Sequence, residues 1–506
     1  MTLQTKPVLR GAAQPLVVLA VGALAILGGV LFDGVFFGAN ITLYGCAVIG
    51  ALAALRLRSG HTLDAIDWLL ILASLIWSSV FSLRDSTVLI WLALLALGIT
   101  AYLAYLKCAL GSLSCVSIMS ALRILPLAAR GAVMSGPRLF CDDVNRAMHS
   151  SSEQLAVAAG ALRGLLFAAP LLLVFGWLLT SADVRFETFA AQLFPWDVER
   201  AGIFAVAFVI CGAIAAAVLR IGVLHQDVHS RHCRQVAPST GVVELITVLV
   251  LLDGLFITYI AIQSTYFFGG EALLRAVTDL TYAQYARRGF FELAALSVLV
   301  VPVLLMASWL GQAHAHKVRR IIRALLGLMI AAVMVIQCSA ADRMYLYTQA
   351  FGLTELRFYA SAFMLWIAAV FGCLCVTALG GRGERFLVSA LIAGLGVVFT
   401  LQVINPDAII ARTNIARATG LNSQGPSSLD LAYLRSLSAD AVPAIDQSLA
   451  GATPARRRIW LAELVDSGSD FASYAAPDWR GFNRSRSLAL SVKRQWTDSL
   501  KERVSK

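Results

Sequence analysis

Long apolar runs broken by short polar connections fill the first 400 residues of the chain. A helix that crosses a bilayer needs about 20 mainly apolar residues. Eleven stretches approach that length, at roughly 13–32, 38–55, 66–83, 87–106, 155–180, 201–220, 241–261, 290–310, 324–340, 359–379 and 386–403. The first follows a basic start but runs longer than the apolar core of a signal peptide, so it reads as an uncleaved helix. The first two runs are joined by only a few residues around Asp33, as in a tight hairpin. Between 107 and 154 the stretch "CALGSLSCVSIMSALRILPLAARGAVM" is apolar but interrupted by Arg123, Pro126 and Arg130. A charge near the bilayer centre costs about 2.5–3.5 kcal/mol on insertion scales. This stretch is therefore expected to be an interfacial or cytoplasmic helix. The open alternative is one more span, which would invert the sidedness of everything after it.

The pattern changes abruptly at "VINPDAIIARTNIARATG" (403–420). Asn405 suits an N-cap and Pro406 the first helical position. Asp407 falls in the first turn, where the helix dipole favours an anion. Ile409, Ile410, Ile415 and Ala416 give this helix an apolar face, and Gly420 can end it. Further helices are expected at about 428–437, after the Ser438–Asp440 turn, at 453–467 and at 481–503. The predicted fold class is all-α: a polytopic α-helical membrane protein of about 11 transmembrane helices with a small C-terminal all-α extramembrane domain. The expected domains are 1–154 (about four spans and the interfacial segment), 155–403 (about seven spans) and 404–506 (the helical tail).

Composition agrees with that pattern. Of 506 residues, 59% are hydrophobic and 14% charged, with a mean hydropathy of +0.76. Soluble domains carry about 25% charged residues. The net charge of +11 does not point to nucleic acid, because no compact basic stripe with interleaved aromatics occurs. Lys and Arg sit instead in alternate loops. Those holding Lys6, Arg56, Arg58, Lys107, Lys317 and Arg320 carry roughly twice as many basic residues as the opposite set. The N-terminus is therefore expected in the cytoplasm, and eleven spans place the tail on the outer face. The nine Cys form no C-x-x-C pair and read neither as a disulfide framework nor as a thiolate metal site.

Polar residues within this greasy chain are the candidates for function. Tyr282 and Tyr285 lie in "LTYAQYARRGFFEL" (280–293) with Arg287, Arg288 and Glu292, and Arg288 and Glu292 are spaced to pair on one helix face. Arg343, Tyr345, Glu355 and Arg357 lie in "RMYLYTQAFGLTELRFYA" (343–360). Two spans separate these segments, and two more separate the second from Asn405, Asp407, Arg412 and Asn414. All three therefore share one face whatever the count upstream, and are expected to form one composite surface. Arg343 and Arg357 either grip an anionic group or pin the tail through Asp407 or Asp430, and the pinning role is favoured. Asp253, in "LVLLDGLFI", is intramembrane and without a local cation. It is a candidate ion or proton site, or a partner of Arg163. "HQDVHSRHC" (225–233) spaces His225, His229 and Cys233 as on one helix face. A solvated helix end is the favoured reading there, and no metal or cofactor is assigned. No Walker loop, H-E-x-x-H or G-x-S-x-G motif is present.

"INPDAIIARTNIARA", "LDLAYLRSLSADAVPAI" and "DWRGFNRSRSLAL", with segments 280–293 and 343–360 and the run beginning "LRGLLFAAPLLLVFGWLLTSADVRF", resemble a bacterial family of multi-span inner-membrane proteins of unknown function. The resemblance covers roughly 160–490 and implies no particular activity. Three readings follow. The favoured one is a non-enzymatic envelope protein that displays its helical tail to sense the envelope or bind an envelope or signalling protein, with membrane lipid as its surroundings. The second is a secondary transporter using Asp253 and Glu292. The third is a membrane enzyme acting on a lipid-linked envelope substrate. No catalytic residue is assigned.

Overall fold

Backbone hydrogen bonds have no water to satisfy them inside a bilayer, so apolar runs of this length fold as helices. The computed structural model describes residues 7–33, 38–60, 62–114, 116–139, 198–224, 242–277, 290–311, 314–380, 382–419, 429–466 and 478–501. Among the described residues there are sixteen α-helices and no strand. Ten are long and apolar enough to cross a membrane, and a shorter apolar stretch, Pro15–Leu31, lies in the first helix. The chain is an all-α, multi-pass membrane protein. The expected span at 155–180 lies outside the described residues.

The stretch open to two placements folds as one continuous helix. Ile118–Arg138 runs unbroken past Pro126, and its Ile118–Gly136 portion is apolar and long enough to span. Arg123 and Arg130 are both exposed on it.

The chain divides into two units. The first contains α1 (Pro7–Leu31), α2 (Ala39–Arg58), α3 (Ala65–Leu83), α4 (Thr87–Leu110), most of α5 (Ile118–Arg138), α6 (Val198–Leu219) and residues 478–490. Its core joins Val17, Val21 and Leu24 of α1 to Tyr44 and Val48 of α2 and to Ala215 and Leu219 of α6. Small residues let the backbones approach. Gly28 faces Cys211 so closely that a Cβ there would overlap it. The Tyr44 hydroxyl donates to the Cys211 carbonyl at 2.5 Å.

Residues 478–490 close one end of this unit. Asn483 Nδ2 donates to the carbonyls of Phe81 (3.0 Å) and Arg84 (2.7 Å), and Ser485 Oγ to that of Leu83 (2.8 Å). These are carbonyls at or beside the end of α3 that lack intrahelical partners. The Ala39 amide donates to the Phe482 carbonyl at 2.9 Å, and Arg486 pairs with Asp85 at 2.5 Å.

The second unit holds α7 (Val242–Val277), α8 (Phe290–Gly311), α9 (His316–Phe351), α10 (Glu355–Leu374), α11 (Phe386–Ile404) and α12 (Pro406–Ala418). It also holds α13 (Leu431–Ser436), α14 (Val442–Leu449) and α15 (Pro454–Asp466). The last helix, α16 (Arg484–Lys501), ends in this unit, where Trp496 Nε1 donates to Asp446 at 2.8 Å. The core runs through Leu249, Leu304, Met329, Val333, Phe371 and Leu374. The 36 residues of α9 extend about 54 Å at about 1.5 Å per residue, so the helix outruns a hydrocarbon core of about 30 Å.

Candidate functional site

The chain leaves α9 through Gly352, whose amide donates to the Thr348 carbonyl at 2.9 Å. Its φ of +82° is a left-handed conformation natural to glycine. A Cβ here would also overlap the Arg417 guanidinium and lie 2.8 Å from Asn414 Oδ1. The missing side chain thus lets α12 close against the turn. Asn414 then pairs with both edges of the next peptide: Oδ1 accepts from the Leu353 amide at 2.9 Å, and Nδ2 donates to the Leu353 carbonyl at 2.8 Å.

Helix α10 begins two residues later. Thr354 occupies its N-cap position without a capping side-chain bond. The exposed first-turn donor is met from the tail instead: the Glu355 amide donates to the Tyr433 hydroxyl at 2.8 Å. Tyr433 is itself set by Asp430, which caps α13 by accepting from the Tyr433 amide at 2.9 Å.

Asn405 makes the corner between α11 and α12. At φ 55° and ψ 83° it is both the C-cap of one helix and the N-cap of the next. Its Oδ1 accepts from the Ala408 amide at 3.3 Å, and its Nδ2 donates to the Asp440 carbonyl at 3.0 Å. Asp407 follows, with no exposed surface. The Ser438 hydroxyl donates to Asp407 Oδ2 while accepting from the Asp440 amide at 3.3 Å. Asp407 Oδ1 is buried and meets no N–H or hydroxyl donor. The Glu355 carboxyl approaches from across the turn and, like the Ser438 hydroxyl, acts against the effect of burial on Asp407. Burial pushes the Asp407 carboxyl above its usual range; the Ser438 hydroxyl opposes that shift and the nearby Asp440 adds to it.

The structure therefore gathers Glu355, Asn405, Asp407 and Asn414 into one docking contact between the tail and the membrane helices of the second unit. It corrects the expected means of attachment. Arg357 does not reach Asp407 or Asp430. Its guanidinium stacks 4.0 Å over the Tyr347 ring and donates to the Gly352 carbonyl, so it braces its own turn. The short side chains Asn414, Tyr433 and Ser438 make the attachment instead. Asn414 is among the expected surface residues, whereas Tyr433 carries no charge pattern that would single it out in a sequence. Ser438 was legible only as a turn and cap. Arg412 and Tyr345 are exposed and Arg343 is half-buried. Tyr282, Tyr285, Arg287 and Arg288 lie outside the described residues, and Glu292 stands in the first turn of α8.

Asp253 lies apart from this contact. It sits midway along the apolar stretch Val243–Ile262 of α7, only 2% exposed, and neither carboxyl oxygen has a hydrogen-bond partner. Arg163 and the segment 225–233 lie outside the described residues. Among the described residues no cluster of His, Cys, Asp and Glu is arranged to hold a metal ion.

Residues 69–448 match a protein family described as a domain of unknown function, DUF4153. The chain belongs to this family. No curated protein and no solved structure matches it. In this DUF4153 protein the matched region takes in the Gly352–Arg357 turn, α12 and Ser438, and so all the residues of the docking contact.

Proposed function

We propose that this DUF4153 protein is a non-enzymatic scaffold of the bacterial inner membrane, whose tail is held rigidly on the outer face to bind an envelope protein partner. The carrying observation is the two-way pairing of Asn414 with the backbone of Leu353, which commits these polar groups to fixing the tail rather than to ligand chemistry. A fixed tail loses little conformational freedom when a partner binds. The docked helix keeps Arg412 exposed, so a charged surface remains for recognition.

The outer assignment rests on the distribution of Lys and Arg. Residues 478–490 bind the turns after α1 and α3, which are poor in Lys and Arg, whereas the ends of α2 and α4 carry Arg56, Arg58 and Lys107. That comparison uses only the first four helices and does not depend on how α5 sits.

A photo-crosslinking residue at position 412 in intact cells tests the reading. A discrete protein adduct, lost when Asn414→Ala frees the tail, is the expected result. Adducts to lipid alone, or an adduct indifferent to Asn414→Ala, would contradict it. A second reading, secondary transport, draws support from the buried, unpartnered Asp253. It predicts that Asp253→Asn abolishes function while Asn414→Ala leaves it intact.

A further inference from the structure

The first unit encloses a cleft of about 1400 Å³. Ile41, Tyr44, Val48, Leu52 and Arg56 border it along α2, about one residue per helical turn. From Ile41 to Arg56 that face is about 22 Å long at about 1.5 Å per residue, longer than the roughly 15 Å half-thickness of a hydrocarbon core. Its walls from α4, α5 and α6 are largely Ala, Leu, Ile and Val. A cleft of this length and polarity fits the acyl chain of a lipid.

One end is different. Arg56 and Asp67 line it and pair at 3.3 Å. Lys107 joins Asp67 at 2.8 Å and also pairs with Asp64. Two cations therefore face two carboxylates, and the cluster is neutral. Arg56 Nη2 points to Cys108 Sγ at 3.4 Å, and Arg56 Nε is buried without any hydrogen-bond partner. A buried guanidinium N–H without an acceptor is a standing cost that a ligand oxygen would remove.

We propose that the cleft holds an acyl chain of a zwitterionic phospholipid, its phosphate accepting from Arg56 Nε and its ammonium group facing Asp67. A headgroup carrying both charges complements a wall carrying both. An anionic headgroup would gain at Arg56 alone and would add an unbalanced negative charge to a cluster that is already neutral. This site is separate from the tail contact, and neither depends on the other.

Native mass spectrometry of the full chain, with phosphatidylethanolamine and phosphatidylglycerol supplied in equal amounts, tests the assignment. One retained phosphatidylethanolamine per chain is expected, preferred roughly tenfold over phosphatidylglycerol, because a charge-assisted hydrogen bond and an ion pair are at stake. Arg56→Gln should lower that retention roughly tenfold, as should Ala104→Phe, which fills the cleft wall. Arg58→Gln, on an exposed neighbour, should not. Equal retention of the two lipids overturns the proposal, as does retention that survives both cleft variants. If a variant loses its helical circular dichroism, the headgroup preference of the wild-type chain decides the matter alone.

Discussion

Asp407 carries the most consequential chemistry at the residue scale. Its carboxyl is fully buried and bonded by Ser438 on one oxygen, while the other is buried without a hydrogen-bond partner. Because burial raises its proton affinity in the docked state, docking is strongest where the carboxyl is protonated. That stability is complete below the usual carboxylate range and is lost as pH rises through the raised value. The melting midpoint of the wild-type tail should therefore fall from mildly acidic to mildly alkaline buffer. Asp407→Asn, which needs no proton to bond Glu355, should flatten that slope and melt higher at the alkaline end. An unchanged slope would show that no proton is held there. Only part of this was legible in the sequence. The position after Asn-Pro marks Asp407 as a first-turn anion. Its burial depends on Glu355 and Ser438 arriving from distant parts of the chain, and no local pattern reports that.

At the scale of elements, Asn405 lets one helix end and the next begin without a loop. Its αL backbone terminates α11, and its side chain caps α12. Both tasks suit Asn, which tolerates αL and is a strong N-cap. Asn405→Gly keeps the backbone conformation and should cost a few tenths of a kcal/mol. Asn405→Ala loses the cap and the bond to Asp440 and adds αL strain, so it should cost about 2 kcal/mol. Thermal unfolding of both variants checks the order, and equal losses would deny the double role. The corner was predictable because Asn-Pro-Asp after an apolar run combines a cap, a helix start and a dipole-matched anion. The spans were legible for the same reason: length and hydropathy act locally. Helix α5 was harder, because its apolar stretch is long enough to span yet carries two exposed arginines.

At the scale of the whole molecule, alternation of spans ties sidedness together. The Gly352–Arg357 turn and α12 are separated by α10 and α11 and meet on one face, as an even number of crossings requires. Residues 478–490 meet the turns after α1 and α3. Among the described residues, no candidate span follows Ile404. Alkaline phosphatase and green fluorescent protein fused after residue 506 measure the side of the tail directly. Phosphatase activity without fluorescence is the predicted result, with the docked tail outside the membrane and open to envelope partners. Fluorescence without phosphatase activity would put the tail in the cytoplasm and contradict the account.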